Sequence, residues 1–141
     1  MSDLYGSPDD ITRILDDAHT WFIVGLGNDP SRVAYEVSAE LQRRGKRIVP
    51  VHPRAEVVHG EQGYRTIAEA AAAVGAPDVV DVFVRSDRAG EFVQPAIDAG
   101  AGCVWFQLGV VDEAAAQRAV DAGVTMVMDT CPLKEWHARG R

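Results

Sequence analysis

An α/β fold with one doubly wound, five-stranded parallel sheet is what this sequence predicts, and three observations predict it. Nearly continuous apolar runs recur, as at Trp21-Phe22-Ile23-Val24 and Val79-Val80-Asp81-Val82-Phe83-Val84, and such runs suit strands covered on both faces. Segments with helical periodicity separate them. The connections are short, which implies right-handed crossovers between parallel strands. The length of 141 residues suits a single domain, because domains cluster near ~100–150 residues. With 47% hydrophobic and 25% charged residues, the composition is that of an ordinary globular protein.

Pro8 opens a first helix, with Ile11, Ile14 and Leu15 at helical spacing, closing near Ala18. Trp21 to Gly25 is strand one. Gly25-Leu26-Gly27-Asn28-Asp29-Pro30 breaks it, and a helix from Pro30 or Ser31 to about Arg44 follows, with Val33, Val37 and Leu41 on its buried stripe. Proline is tolerated in a first helical turn because that amide has no partner inside the helix. Gly45 ends this helix, and Arg47 to Val51 is strand two. Pro50 within it cannot donate to a ladder, which counts against a fully paired central position. His52-Pro53-Arg54 forms the next turn, followed by a loop through Glu56, Gly60 and Gly63. Thr66 caps an alanine-rich helix from Ile67 to Val74, with Glu69 at capping-box spacing. Val79 to Val84 is strand three, Asp87 to Ala99 a helix, Cys103 to Gln107 strand four, Asp112 to Ala122 a helix and Val124 to Met128 strand five. Gly100 and Gly123 supply the helix C-caps. The core is expected over about residues 9 to 136, with a polar, partly mobile tail from Cys131 to Arg141.

Fourteen Lys and Arg against 21 Asp and Glu give a net charge of −7. That excess counts against nucleic acid and anionic membranes as partners. It leaves room for one local basic pocket holding a small anion. Cys103 and Cys131 form no CxxC pair, so neither a zinc site nor a disulfide framework is expected, and a reducing cytoplasm is the default. No apolar run approaches the ~20 residues of a membrane span, and the acidic N-terminus lacks a signal-peptide core.

In a doubly wound sheet, ligands bind at the carboxyl ends of the strands, where the strand order reverses. Five turns follow the strands: Gly25 to Pro30, His52 to Arg54, Arg85-Ser86, Gln107 to Gly109, and Asp129 to Pro132. A glycine pair opening into a helix lets backbone approach a phosphate at the helix N-terminus. Pro30 occupies the third glycine position of G-x-G-x-x-G. A dinucleotide site places an acid at the end of strand two, about 20 residues past the glycines. Val51-His52-Pro53-Arg54 stands there instead. The missing acid disfavours NAD, and Arg54 favours a ribose or adenosine that carries a phosphate. Gln107, an amide ending an apolar strand, is a candidate ligand contact. Cys131 is the best reactive candidate, set against the plainer reading of a small buried hydrophobe. Trp21 and Trp105 read as core. The four histidines are scattered, and no nucleophile, base and orienter stand together in the sequence.

These motifs taken in order resemble a known family. Gly25-x-Gly27-x-Asp29-Pro30-x-Arg32, Ile48-Val49-Pro50-Val51-His52-Pro53, Asp81-Val82-Phe83-Val84-Arg85-Ser86, Val104-Trp105-Phe106-Gln107-Leu108-Gly109-Val110 and Val127-Met128-Asp129-x-Cys131-Pro132 are similar to the small stand-alone CoA-binding proteins. Their Rossmann-like domain is similar to the N-terminal domain of the succinyl-CoA synthetase α-subunit. The resemblance implies CoA contacts at Gly25, Gly27, Asn28, Asp29, Pro30 and Arg32, at His52, Pro53 and Arg54, at Val84, Arg85 and Ser86, and at Gln107, Leu108 and Gly109. Asp29 is expected to cap the following helix and face away from the ligand. The chain departs from the family pattern at Gly27, where a small hydroxyl residue is frequent, and at His52, where Asn is common. The synthetase's phosphorylated histidine lies in a further domain, so no ligase reaction is implied. The resulting expectation is a cytoplasmic protein that binds CoA or an acyl-CoA with no catalytic set of its own, as a homo-oligomer or beside a catalytic partner chain. The competing readings are an NAD(P)-dependent oxidoreductase and a nucleotide-sensing regulator on the same fold.

Overall fold

The computed structural model describes residues 3–141. Five parallel strands, β1 (Thr20–Val24), β2 (Arg47–Val51), β3 (Val79–Val82), β4 (Cys103–Phe106) and β5 (Thr125–Val127), lie in the order β2-β1-β3-β4-β5. The helices are α1 (Pro8–Asp17), α2 (Val33–Arg43), α3 (Ile67–Val74), α4 (Ser86–Ala89), α5 (Val93–Asp98), α6 (Glu113–Asp121) and α7 (Pro132–Ala138), with a 3₁₀ turn at Gly90–Phe92. This is a single α/β domain of Rossmann-like form, as the sequence predicts. The strand pattern has a direct cause. Side chains alternate between faces, and both faces of every interior strand are covered, so almost every strand position is apolar.

One face packs Phe22, Val24, Val49, Val80, Val82, Val104 and Phe106 with apolar residues of α3, α5 and α6. The other packs Trp21, Ile23, Ile48, Val79 and Trp105 with α1, α2 and α7. Trp21 and Trp105 are fully buried, and their rings meet at 5.6 Å. Such tilted aromatic pairs contribute beyond the area they bury. Pro50 is accommodated because β2 is an edge strand. Arg47 and Val51 bond inward to β1, whereas Pro50 turns its carbonyl outward to Tyr64 N–H at 2.9 Å. The amide that proline lacks would have pointed out of the sheet.

Four expectations are corrected. The helix after β1 begins at Val33, not Pro30, which sits in the preceding turn. Its buried stripe is therefore Ala34, Val37, Ser38 and Leu41, and Val33 is 56% exposed. The helix expected over Asp87 to Ala99 is broken into α4, the 3₁₀ turn and α5. Pro95 explains the break, since its ring clashes with the carbonyl four residues back and it has no N–H to give. The tail is not a detached polar end but is packed against the domain. It forms α7, whose Trp136 is 3% exposed beneath the Arg44 guanidinium, 4.2 Å from the ring centroid. Arg139 then ties α7 to α1 through Thr12 Oγ1 (2.9 Å) and the Pro8 carbonyl (3.2 Å).

One polar group stands apart. Asp81 in β3 is fully buried, between Ile23 of β1 and Trp105 of β4 in register, and neither carboxylate oxygen has a hydrogen-bond partner among the described residues. Burial pushes its carboxyl well above the usual carboxylate range, so the neutral acid is the favoured form.

Two outcomes follow. The folded state keeps a proton at Asp81 that the unfolded chain releases above about pH 4. Stability therefore falls as pH rises from there toward the folded-state value, by at most about 1.4 kcal/mol per pH unit. Asp81→Asn should flatten this slope in urea titrations run between about pH 5 and about pH 8; parallel slopes for the two proteins would show that Asp81 is not the cause. Trp136→Ala should cost about 3–5 kcal/mol, which the loss of a mobile tail would not.

Candidate functional site

After β1 the chain turns onto α2 on one face, and after β3 onto α4 and α5 on the other. The two departures open a crevice between the carboxyl ends of β1 and β3, the switch point of the sheet. A cleft of about 990 Å³ occupies it, walled by the ends of β1, β2 and β3, the first turn of α3, and the 3₁₀ turn.

The glycine turn builds one wall. Gly25 has φ +95°, where a side chain would be strained, and its N–H donates to the Val51 carbonyl at 2.8 Å. The exit from β1 therefore requires glycine. Gly27 differs, because its backbone is not in the left-handed region. A Cβ there would lie 3.5 Å from Glu56 Oε1 and 3.7 Å from His52 Nε2, in ordinary contact. The missing side chain keeps the cleft open rather than permitting the turn. Asn28 Nδ2 donates to the Val57 carbonyl at 2.8 Å and ties this turn to the loop after β2. Asp29 lines the cleft and does not face away from it. Its Oδ1 accepts from the Ser31 hydroxyl (2.6 Å) and the Ser31 amide (3.0 Å). Those bonds hold its carboxyl below its ordinary value. It closes its own turn instead of capping α2, whose cap residue is Arg32, with no side-chain cap bond. Arg32 lines the cleft, and Pro30 lies outside it.

His52, Pro53 and Arg54 line the opposite wall. The Arg54 amide donates to His52 Nδ1 at 3.1 Å. In the neutral ring this leaves the proton on Nε2, the nitrogen nearest Gly27. The acid absent from positions 51–54 is supplied two residues later, since the loop folds Glu56 back against the glycine turn. Spacing alone hides this, because the loop's path decides it.

The residues after β3 and β4 separate. Val84 lines the cleft, but Arg85 does not. The Arg85 side chain is 78% exposed and pairs with Asp87 at 3.3 Å. Ser86 fastens two loops, its hydroxyl donating to the Gly109 carbonyl (3.3 Å) and accepting from the Val111 amide (2.9 Å). Gly109 donates its N–H to Asp129 Oδ1 at 2.7 Å and lines no cavity described here. Gln107 and Leu108 line a second cavity of about 350 Å³, which shares Arg32 and Phe83 with the cleft.

Sequence reading missed Arg65, Thr66 and Arg88 as cleft residues, along with the apolar wall of Ile67, Phe83, Phe92 and Pro95. A signal existed for the first three. They flank or begin helices that follow strands or their loops, and therefore lie at the carboxyl end of the sheet. Four arginines (32, 54, 65 and 88) face three carboxylates (Asp29, Glu56 and Glu91) around the cleft. Arg88 is paired with Glu91 at 3.3 Å, whereas Arg32, Arg54 and Arg65 have no ion-pair partner among the described residues. The cleft is a cationic region in a chain of net charge −7.

Residues 19–137 match a family described as the CoA binding domain. The chain is 32% identical over 129 residues to YneT of Bacillus subtilis (strain 168), an uncharacterized protein, covering 92% of this chain and 93% of that one. Among solved structures, a hypothetical protein from Pyrococcus horikoshii OT3 is 31% identical with a TM-score of 0.87, covering 99% of this chain and 95% of that one. A Thermus thermophilus protein is 26% identical with a TM-score of 0.84, covering 95% and 98%.

The two glycines should separate in stability measurements. Gly25→Ala forces a Cβ into a left-handed conformation and should cost about 1–2 kcal/mol. Gly27→Ala should stay within about 0.5 kcal/mol of the parent, as a surface substitution without strain does. Equal losses in denaturant titrations would mean that Gly27 also serves the fold.

Proposed function

The chain belongs to the CoA binding domain family, and from that premise we propose that it binds CoA in the cleft between β1 and β3. The observation that carries this reading is the gathering of Arg32, Arg54 and Arg65, without ion-pair partners among the described residues, beside a glycine turn in an otherwise acidic protein. CoA brings a diphosphate and a 3′-phosphate. Guanidinium suits both, because it donates two parallel hydrogen bonds to phosphate oxygens. In this reading the glycine turn and Arg32 hold the diphosphate, and Arg54 holds the 3′-phosphate. Glu56 and His52 Nε2–H meet ribose or base polar groups, while Ile67, Phe92 and Pro95 offer apolar surface to adenine.

The finer reading is a cytoplasmic protein that carries or senses CoA or an acyl-CoA, like the CoA-binding part of succinyl-CoA synthetase, and leaves catalysis to a partner chain. His52 is the one histidine lining the cleft among the described residues, and its Nδ1 is already engaged by the backbone. Glu56 is the one observation favouring a nicotinamide dinucleotide, since an acid beside the glycine turn suits ribose hydroxyls. The arginines weigh the other way.

Thermal melts with CoA, NADH and NADPH decide between the readings. A ligand at 100 times its dissociation constant contributes about 2.7 kcal/mol, and CoA should produce a shift of that order while the nicotinamides do not. An equal or larger shift with NADH or NADPH would overturn the CoA reading. Gly27→Val, which puts a branched side chain between His52 and Glu56, should fold and lose CoA affinity. Arg54→Ala should weaken CoA binding by about ten- to a hundredfold, as a lost charge-assisted bond worth about 1.5–3 kcal/mol would. It should also erase the preference for CoA over dephospho-CoA, and Arg85→Ala should preserve both. Equal affinity of the parent protein for CoA and dephospho-CoA would remove Arg54 from that role.

A further inference from the structure

The second cavity presents apolar surface that the fold does not use. Ala34, Val110 and Cys131 on its wall are buried and Phe83 is half-buried, whereas Val33 is 56% exposed and Leu108 48%. Large apolar side chains left in water around one hollow mark a binding surface. No carboxylate lines this cavity, while three line the main cleft. Its two cations, Arg32 and Lys134, are exposed, and such long side chains keep their charge in water while their stems cover apolar wall. The cavity lies past the switch point, between the ends of β3 and β4 and the starts of α2 and α7, and shares Arg32 and Phe83 with the cleft. Resting on the CoA reading above, the glycine turn and Arg32 hold the diphosphate, with the 3′-phosphate on the β2 side at Arg54. The pantetheine arm then leaves in the other direction, past Arg32 and Phe83, since a ligand at a switch point lies across the crevice.

We propose that the second cavity is an acyl pocket, and that the protein selects CoA thioesters of short to medium aliphatic acids over free CoA. The volume is about 350 Å³. At the ~30 Å³ of a water-sized group, that is room for roughly a dozen heavy atoms. The thiol end of a free CoA arm fills only part of it and leaves Val33 and Leu108 in water. An aliphatic acyl group covers them. Each methylene buried there tightens binding by about fourfold, since it is worth about 0.8 kcal/mol. Cys131 serves in this pocket as a small apolar wall group. An acyl chain ending in a carboxylate forfeits the gain, because its charge is carried against Ala34, Val110 and Cys131. A long chain outgrows the volume.

The test is a calorimetric series on the whole protein with CoA and its acetyl, butyryl, hexanoyl, octanoyl, palmitoyl and succinyl thioesters, each below its micellar concentration. Affinity should climb by about fourfold per methylene from acetyl to hexanoyl; a total gain under tenfold would overturn the proposal. Palmitoyl-CoA should bind no tighter than octanoyl-CoA, and tighter binding would overturn the size limit. Succinyl-CoA has the carbon count of butyryl-CoA and should bind more weakly; equal or tighter binding would overturn the apolar assignment. Val33→Ser combined with Leu108→Ser removes the two exposed apolar groups, and a melt without ligand checks that the variant folds. It should cut the hexanoyl-to-acetyl preference by at least fivefold, and a smaller fall would overturn the pocket. Val33→Ser alone, read by the same ratio, should cut the preference at least twofold and stands in if the double variant does not fold. Binding of CoA with a flat acyl series overturns the pocket and leaves the CoA reading standing. Absence of binding by every member of the series overturns the CoA reading itself.

Discussion

The reversal of strand order between β1 and β3 is the constraint on which the rest depends. A crossover must be right-handed, so stepping from β1 outward to β2 sends α2 over one face, and stepping back to β3 sends α3 over the other. The crevice at the switch point is a geometric consequence of that order. Everything polar and distinctive about the cleft then depends on how the chain leaves β1. Gly25 makes the exit with φ +95° and an N–H bond to Val51, and the turn it begins faces the loop after β2. Without that exit the wall formed by Gly27, Asn28 and Asp29 would have no fixed position.

The electrostatic design follows from the same geometry. A chain with net charge −7 repels anions at long range, so an anionic ligand must be held by a locally reversed field. Helix starts at the carboxyl end of the sheet provide places for cations at Arg32, Arg65 and Arg88, and the loop after β2 adds Arg54. Glu56 and Glu91 keep the cleft from being uniformly positive. Such a mixture favours a ligand with both phosphates and hydroxyls over a bare polyanion.

The sheet, its five strands and the glycine-capped helices were legible in the sequence because apolar runs and helix-ending glycines act locally. The strand ends fell within one residue of expectation for the same reason, except that β3 stops at Val82 and leaves Phe83 and Val84 in the loop. What escaped depends on contacts distant in sequence. The tail reads as polar from Cys131 to Arg141, yet Arg139 finds partners on α1 and Trp136 a partner in Arg44 at the end of α2. Glu56 reaches the cleft only because a loop folds back. Arg85 and Arg88 are three residues apart, and the helical start at Ser86 turns one to solvent and the other to the cleft. Gln107, Leu108, Ser86 and Gly109 sit at the expected strand ends, but only the first two face a cavity.

Asp81 and Gln107 show one kind of defect meeting two chemical responses. Each is a buried side chain with orphaned oxygens, one in the middle of β3 and the other just past the end of β4. Asp81 is walled by Ile23 and Trp105, so no donor reaches it, and the physical response available is to keep its proton. The cost falls on stability and varies with pH. Gln107 has no proton to keep and cannot neutralise itself. Its Oε1 is closed off as fully as the Asp81 oxygens, and the cost of leaving it unpaired is uncompensated. In both places the orphaned oxygen is sealed, so its cost falls on the fold's own energetics, relieved at Asp81 by a held proton and unrelieved at Gln107.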